Sequence, residues 1–540
     1  MPHSFALLPP SRLPLFILSL GLAVSGCARR NFFQPDARIG PGSAQALPPG
    51  ADSVLVVAGR QYNRHSKLHD VFWGRHYREV WAAPVKVPVL NLRTAAPGGL
   101  KAGKSGGGFQ SISMTLEGSK KREYALRALD KDPSKVLPKF LQGSFLLNAV
   151  RDATSAANPY GALTVPPLAQ AAGVPHTRPR LVYVRTDETS LGSASERFQG
   201  KMAMVEEKYE ALASQTPDLS GVTNFVGGEG LLKRVYANAS HTIDEQSFLR
   251  ARLLDVWLGD WDRHEGQWDW AEFKAPDGRV RYRAIPKDRD QVYFRFNDGF
   301  VPWLVSLPFL MPRFQTFKPA YGNVAGLVEQ GRFIDQRGLA QMTRADFRRM
   351  ALDLQRRLPD SLIERAMRRM PPAVYALEGP TIGGILKVRR ESLPKAADKF
   401  YLTLAREPVV GGTNEPERFV VNRYADSTTV RIFSRALMQL TRTDSLLFRR
   451  TYYAAETREL TLEALGGNDV FEVETTGSGK LMPLQLYGGA GQDQLRLTGS
   501  SRRLKTYDEA SDMTTANGPR PQEPRKNRLG YDQTIGTKGR

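Results

Sequence analysis

Residues 248–291 read "FLRARLLDVWLGDWDRHEGQWDWAEFKAPDGRVRYRAIPKDRDQ", and no other stretch restricts the fold as tightly. Phe248, Leu249, Leu253, Val256 and Trp257 recur at helical spacing, so residues 243–259 are predicted to form a helix with one apolar face. Residues 268–273 and 280–285 alternate apolar and polar, the period of a half-buried strand. Asp277-Gly278 in "KAPDGR" supplies the turn, which makes the pair a β-hairpin. The open ends of a hairpin lie about 5 Å apart. The segments at those ends are "GDWDRHEGQ" (259–267) and "PKDRDQ" (286–291), so Asp262, Gln267, Asp288 and Asp290 are brought together. Four oxygen-bearing side chains suit a hard cation such as Mg²⁺ or Mn²⁺. Carboxylates crowded without a counter-charge are costly, which favours a metal or phosphate site. The competing expectation is a buried ionic network of Asp262, Arg263 and His264 that stiffens the corner.

Upstream, "PGGLKAGKSGGGFQS" (97–111) fits the phosphate-binding pattern G-x-x-x-x-G-K-[ST] through Gly98, Gly103, Lys104 and Ser105. That pattern needs a helix starting at the Lys-Ser, to aim its N-terminal amides at phosphate. Here Gly106, Gly107 and Gly108 follow, and then "SISMTLEG" alternates like a strand. The expectation is therefore a glycine-rich turn between strands, which can still cover phosphates with backbone N–H groups. "QSISMTLEGSKKREYALRAL" reads as strand, turn, strand, and helices are predicted at 139–157, 344–357 and 382–405. His65 and His69 stand four apart beside Asp70 and His76; zinc ligands can be drawn from them, but without a second spaced cluster they read as surface histidines.

"D-R-H" with an amide side chain five residues after the aspartate, then a hairpin, then an Asp-containing turn, resembles the catalytic core of the protein-kinase-like superfamily. Lipid kinases and secretory-pathway kinases share the D-R-H loop, and spore-coat kinases the D-x-D turn. The upstream order agrees: the glycine turn at 106–108, the strand "REYALRALDK" (122–131), then a helix containing Asp152. The resemblance covers residues 97–310 and implies a bilobal domain. It implies that Asp262 is the catalytic base and Gln267 a metal ligand, with Asp288 or Asp290 the main metal aspartate. It further implies that Arg127 or Lys131 contacts the phosphates under Gly106, Gly107 and Gly108, and that Asp152 orients that cation. Arg263 and His264 would brace the loop. Mg or Mn and a nucleotide or other phosphate donor are the implied cofactors. Gln267 departs from the family's commoner Asn at that position. "YALRALDKDPSKVLP", "ANPYGALTVPPLA", "LGDWDRHEGQW" and "IPKDRDQ" also resemble an uncharacterised group of bacterial envelope proteins, often joined to an outer-membrane β-barrel of the surface-antigen type. That implies an outer-membrane β-barrel protein as a partner. It leaves two functions open: a metal-dependent phosphotransferase, or a non-catalytic pseudokinase-type module in outer-membrane assembly.

The amino-terminal residues point to the same compartment. Arg12 precedes "LPLFILSLGLAV" (13–24), too short to span a membrane comfortably, and "VSGC" (24–27) resembles a lipobox. Cys27 is the only cysteine, so no intrachain disulfide can form. Residues 1–26 are expected to be a lipoprotein signal peptide, Cys27 the lipidation site, and 27–50 a Gly/Pro/Ala-rich tether. The expected location is the cell envelope, lipid-anchored on the outer membrane and facing the periplasm. A formal net charge of +21 favours anionic lipid or phosphate, and no nucleic-acid motif accompanies it.

The predicted fold class is α+β: a kinase-like domain over 51–406, then a smaller antiparallel all-β region over 407–499 and a disordered tail over 500–540. In the β region, "LGGNDVFEV" and "GGAGQDQLRL" resemble the glycine-aspartate calcium repeat of secreted toxins. A β-roll needs consecutive copies. Gly466, Gly467, Gly488 and Gly489 are therefore expected at turns, with calcium at Asp469 or Asp493 the lesser expectation.

Overall fold

The computed structural model describes residues 28–41, 43, 45–106, 112–209, 219–435, 446–476, 479–508 and 513–523. The fold mixes helices with several sheets, in keeping with the α+β class. Residues 28–39, the first described, are laid against the body, where a tether was expected. Ala37 and Arg38 are buried, and the Ala37 N–H donates to the Gly200 carbonyl at 2.8 Å. The Gln34 amide spans the Val57 and Ala58 carbonyls, so a Gly/Pro-rich composition did not prevent ordered packing here.

Strands β1 (Ser53–Val56) and β2 (Val85–Pro88) form a two-stranded ribbon. Between them lies α1 (Lys67–Trp73). Next comes an antiparallel sheet of β3 (Leu100–Gly106), β4 (Ser113–Gly118), β5 (Glu123–Ala128), β6 (Arg180–Tyr183) and β7 (Met202–Glu207), in the order β3-β4-β5-β7-β6. The predicted strand–glycine–strand order holds: Gly106 ends β3 opposite Ser113, and no helix starts at Lys104. Helix α2 (Phe145–Asp152) lies between β5 and β6 in the chain, shorter than the 139–157 predicted.

Helix α3 (Glu245–Leu258) starts where the Asp244 carboxylate caps the Ser247 N–H at 3.1 Å. It stops at Gly259, whose φ of +71° is the left-handed cap favoured by glycine. The prediction of one apolar face was too narrow: past its first turn α3 is buried on nearly every side, Arg252 and Asp255 included, with Arg250 half-buried. The hairpin is as expected. β10 (Trp268–Lys274) and β11 (Val280–Pro286) pair from Trp268↔Pro286 to Lys274↔Val280. β8 (Asn224–Gly227) and β9 (His241–Ile243) flank them. Beyond the hairpin lie α4 (Phe300–Val305), α5 (Arg344–Arg357) and α6 (Pro372–Ala405). The 34-residue α6 holds the end of α3: Trp257 donates to the Leu386 carbonyl at 3.0 Å, and Arg389 donates to the Val256 and Trp257 carbonyls at 2.6 and 2.8 Å.

The carboxyl-terminal region overturns the antiparallel expectation. Only β13 (Glu417–Arg423), β14 (Ser427–Ser434) and β15 (Leu446–Tyr453) run antiparallel. The others form a parallel two-sheet coil. One sheet holds β12 (Val409–Gly411), β16 (Leu460–Glu463), β18 (Leu484–Tyr487) and β20 (Leu504–Tyr507). The other continues from β13 through β17 (Val470–Thr475) and β19 (Gln494–Thr498) to β21 (Thr514–Ala516). Phe419, Phe471, Leu462, Leu484 and Leu495 fill the space between the sheets. β20 and β21 fall within the predicted tail: stacking on β18 and β19 gives these polar residues a place in the ladder.

Candidate functional site

Arg263 closes the mouth of the hairpin. It is fully buried, lies 4.6 Å over the Trp268 ring, and donates to the Lys287 carbonyl at 2.8 Å and the Gln267 carbonyl at 3.1 Å. One guanidinium thus ties the last residue before β10 to the first after β11. Its charge is met by Asp255 at 3.2 Å and Asp260 at 3.7 Å. Arg289 pairs with the same two carboxylates, and Arg252 bridges Asp255 to Asp335. Burial pushes the Asp255 carboxyl up, yet Arg289, Arg263 and Arg252 hold it below the usual carboxylate range. Burial dominates at Asp260, which is pushed up to about 7 against the pull of Arg263 and Arg289.

A buried ionic network is therefore present, but it differs from the one expected of Asp262, Arg263 and His264. Only Arg263 belongs to it. Asp262 keeps 27% of its side chain exposed, and His264 faces out with 42%, its Nδ1 accepting the Gly266 N–H at 3.1 Å. Asp255, Asp260, Arg289, Arg252 and Asp335 were missed. Sequence signals existed for two of them: Arg252 and Asp255 interrupt the apolar helix at a spacing of three, and they pair at 3.0 Å.

The four expected oxygen-bearing side chains lie at one mouth in front of this network, but Asp262, Asp288 and Asp290 do not close to within 4.8 Å of one another as a set. Burial, then Asp290 and Asp288, push the Asp262 carboxyl up to about 6. Asp288 is half-buried, and Arg127, Lys131 and Arg263, with a hydrogen bond from Gln267, hold it below the carboxylate range against the cost of desolvation. Its φ of +54° is unusual for a residue with a side chain and marks a tight bend just past β11. Lys131 forms an ion pair with Asp290 and, though half-buried, is held above its ordinary range by Asp290 and Asp288. The Gln291 amide also donates to Asp290 at 3.1 Å. Both cations left open by the sequence thus face these acids, Lys131 through Asp290 and Arg127 through the field at Asp288.

Asp152 does not take the role the resemblance implied. Its two carboxylate oxygens accept from Arg78 at 2.6 Å each, and His69 stands 3.7 Å away. The acid that holds Arg127 is Glu206 on β7, whose other oxygen accepts from Thr177 at 2.8 Å. Pairing of β5 with β7 sets these two side chains together, a cross-strand contact with no local signature. Gly107, Gly108 and Cys27 lie outside the described residues.

The tryptophans sit as a frame. Trp257, Trp268 and Trp270 are fully buried, and Trp268 donates to the Arg263 carbonyl at 3.3 Å. Trp261 packs on Phe314 and Phe294, with ring centroids 4.9 and 5.5 Å apart.

Away from the mouth, ligand atoms of His65, His69 and Asp70 lie within 4.8 Å of one another. His76 does not join them; it is bound to Asp298 at 2.6 Å. In the coil, burial and Glu417 push the Asp469 carboxyl up to about 9, so it is a neutral acid at neutral pH. Its Oδ1 accepts the Glu417 N–H at 2.6 Å, and Asp493 accepts the Asp469 N–H at 2.9 Å. These two aspartates brace stacked corners, each through its Oδ1, and the second oxygen of Asp469 has no hydrogen-bond partner among the described residues.

The chain matches no family model, no curated protein and no solved structure.

Proposed function

We propose that the hairpin mouth is the metal and phosphate site of a kinase-like, metal-dependent phosphotransferase in a lipid-anchored envelope protein. The observation that carries this reading is the meeting of Asp262, Gln267, Asp288 and Asp290 with Lys131 and Arg127, which come from the preceding antiparallel sheet. The chemistry of the donors suits a hard divalent cation, since Asp288 is ionised, Gln267 bonds to it and Asp290 adds a second carboxylate, but the carboxylates would have to draw closer and Asp290 turn from Lys131 to hold one. Such a cation would neutralise charge on phosphate oxygens. Asp288, Gln267 and Asp290 would hold it. Lys131 and Arg127 would meet the phosphates, and Asp262 would take the proton of an acceptor hydroxyl. A base pushed up to about 6 is ionised at neutral pH and still basic enough for that task. The order glycine segment, cation-bearing strand, helix, D-R-H loop, hairpin and D-x-D turn supports the kinase-like reading. An envelope site has little ATP at hand, so another phosphate ester is a candidate donor.

The ion pair between Lys131 and Asp290 favours a second reading, a pseudokinase-type module that binds without transfer while helping assemble an outer-membrane β-barrel protein. The two are tested together. Mn²⁺ with a non-hydrolysable nucleotide should raise the melting temperature of the full chain by mass action, and Asp288→Ala with Asp290→Ala should remove the rise. Binding with transfer of labelled phosphate supports the enzyme, and binding without transfer supports the module. No response to either ligand would defeat both.

A further inference from the structure

Most apolar side chains of this protein are covered, but one run is not. Phe300, Trp303, Leu304, Phe309, Leu310 and Met311, in and just after α4, are all 41–78% exposed. Beside them Leu68, Val71 and Phe72 project from α1 at 46–66%. The two helices are held side by side. The Phe72 and Phe300 rings meet edge to face at 6.4 Å, and Gly299 lies so close to Gly74 that a Cβ on it would overlap the Gly74 backbone. On its other side α1 reaches α2 through Trp73 and Phe145, 5.9 Å apart. The short turn before α2, Lys139–Leu141, presents Phe140 with 82% exposed. Contiguous apolar surface of this kind marks a docking site.

What covers it is indicated by where the chain enters. The Ala28 N–H donates to the Gly143 carbonyl at 2.8 Å, and the Arg29 N–H to Asn148 at 2.9 Å. Cys27 is the residue immediately before Ala28 in the sequence. With residues 28–39 packed down rather than loose, a lipid on Cys27 enters the bilayer beside Phe140. Lys67, Lys135 and Lys139 are exposed and interleaved with the apolar residues, which complements anionic headgroups. No helix among the described residues is long and apolar enough to cross a membrane, so the contact is interfacial.

We propose that this face, with Phe140, Phe72, Phe300, Trp303 and Phe309 at its tips, inserts into the headgroup layer of an anionic phospholipid bilayer and seats the domain directly on the membrane. The proposal rests on the lipid-anchor reading for its orientation, but the face should bind lipid by itself. The test uses the full chain carrying Cys27→Ser, mixed with vesicles of phosphatidylethanolamine and phosphatidylglycerol. Co-sedimentation is expected. Combining Phe140→Ser, Trp303→Ser and Phe309→Ser should lower partitioning about tenfold or more, with the melting temperature unchanged because these side chains are exposed. If that variant unfolds, Lys67→Glu, Lys135→Glu and Lys139→Glu together should give a similar loss through charge alone. Absence of vesicle binding by the Cys27→Ser chain overturns the proposal while leaving lipidation intact. Vesicle binding by a chain that takes up no labelled fatty acid overturns the anchor and keeps the face. A concentration-dependent dimer that the triple serine variant dissolves, without vesicle binding, assigns the face to a second copy and overturns it.

Discussion

Asp262→Asn separates a catalytic aspartate from a structural one, because the two roles predict opposite effects on stability. The carboxyl is pushed up to about 6 from an ordinary value of 3.8, first by burial and then by Asp290 and Asp288. Between those values the folded protein binds a proton that the unfolded chain has released, so stability is lost as pH rises from about 4 through about 6. The gap corresponds to about 3 kcal/mol at most. With 27% of the side chain exposed, solvent screening reduces it to about 1–2 kcal/mol. Asn carries no charge to desolvate and none to repel Asp288 and Asp290. Asp262→Asn should therefore be more stable than wild type by about 1–2 kcal/mol at pH 8 and nearly equal to it at pH 4. Urea unfolding at both pH values, followed by tryptophan fluorescence, measures the difference. Phosphate transfer by the variant should fall about 10²-fold or more, with nucleotide binding retained. A destabilised Asp262→Asn at pH 8 would refute the reasoning, since it would make Asp262 a partner in the network behind the hairpin. Undiminished transfer would refute its role as base.

Three further outcomes follow from the same geometry. Arg263→Met leaves Asp255, Asp260 and two carbonyls without their shared donor and should cost about 3–5 kcal/mol in denaturant unfolding; a loss below about 1 kcal/mol would show that Arg289 alone suffices. Burial and Glu417 push the Asp469 carboxyl up to about 9, so wild type should lose coil stability as pH rises from about 4 to about 9 and level off above that, while Asp469→Asn should lack this loss and be the more stable chain at pH 7, as read by hydrogen exchange. A Ca²⁺-dependent rise in wild-type melting temperature that Asp469→Asn abolishes would restore the calcium reading. If the His65, His69 and Asp70 cluster holds zinc, Zn²⁺ should raise the melting temperature and His69→Ala should cancel the rise; equal responses would make the histidines plain surface groups.

How much of this was legible follows from the range over which each feature is encoded. The hairpin was readable because its two strands and the Asp277-Gly278 turn are adjacent, and antiparallel pairing across a short loop has essentially one geometry. The meeting of Asp262, Gln267, Asp288 and Asp290 is a corollary of that pairing. The partners of Arg127 and Asp152 were not readable. Glu206 reaches Arg127 only because β7 inserts beside β5, and Arg78 reaches Asp152 from a segment before the sheet begins. Composition misled at residues 28–39, because a Gly/Pro-rich segment reads as loose until a surface that binds it is known.

The coil shows the limit most clearly. The β region expected over 407–499 exists and β13, β14 and β15 pair antiparallel as expected, yet the strands after them pair in parallel. Alternation within a strand reports which face is buried and says nothing of the direction of the neighbour. From β16 to β21 successive strands alternate between two sheets, so among them sequence neighbours do not pair. Leu460 pairs with Leu484, and Leu484 with Leu504, each one full turn away. Glycine doublets were the visible trace of that period. At the corners successive turns lie in contact: a Cβ on Gly491 would overlap the Gly467 carbonyl, and one on Gly489 would overlap that of Leu465. Both have positive φ, +135° and +92°, which adds a backbone requirement to the steric one. Calcium coils and this coil thus share glycine for the same reason, the close stacking of corners. The aspartates beside the glycines differ in what they meet. Here Asp469 and Asp493 accept N–H groups from the turn before, which gives the aspartates a structural role at the stacked corners.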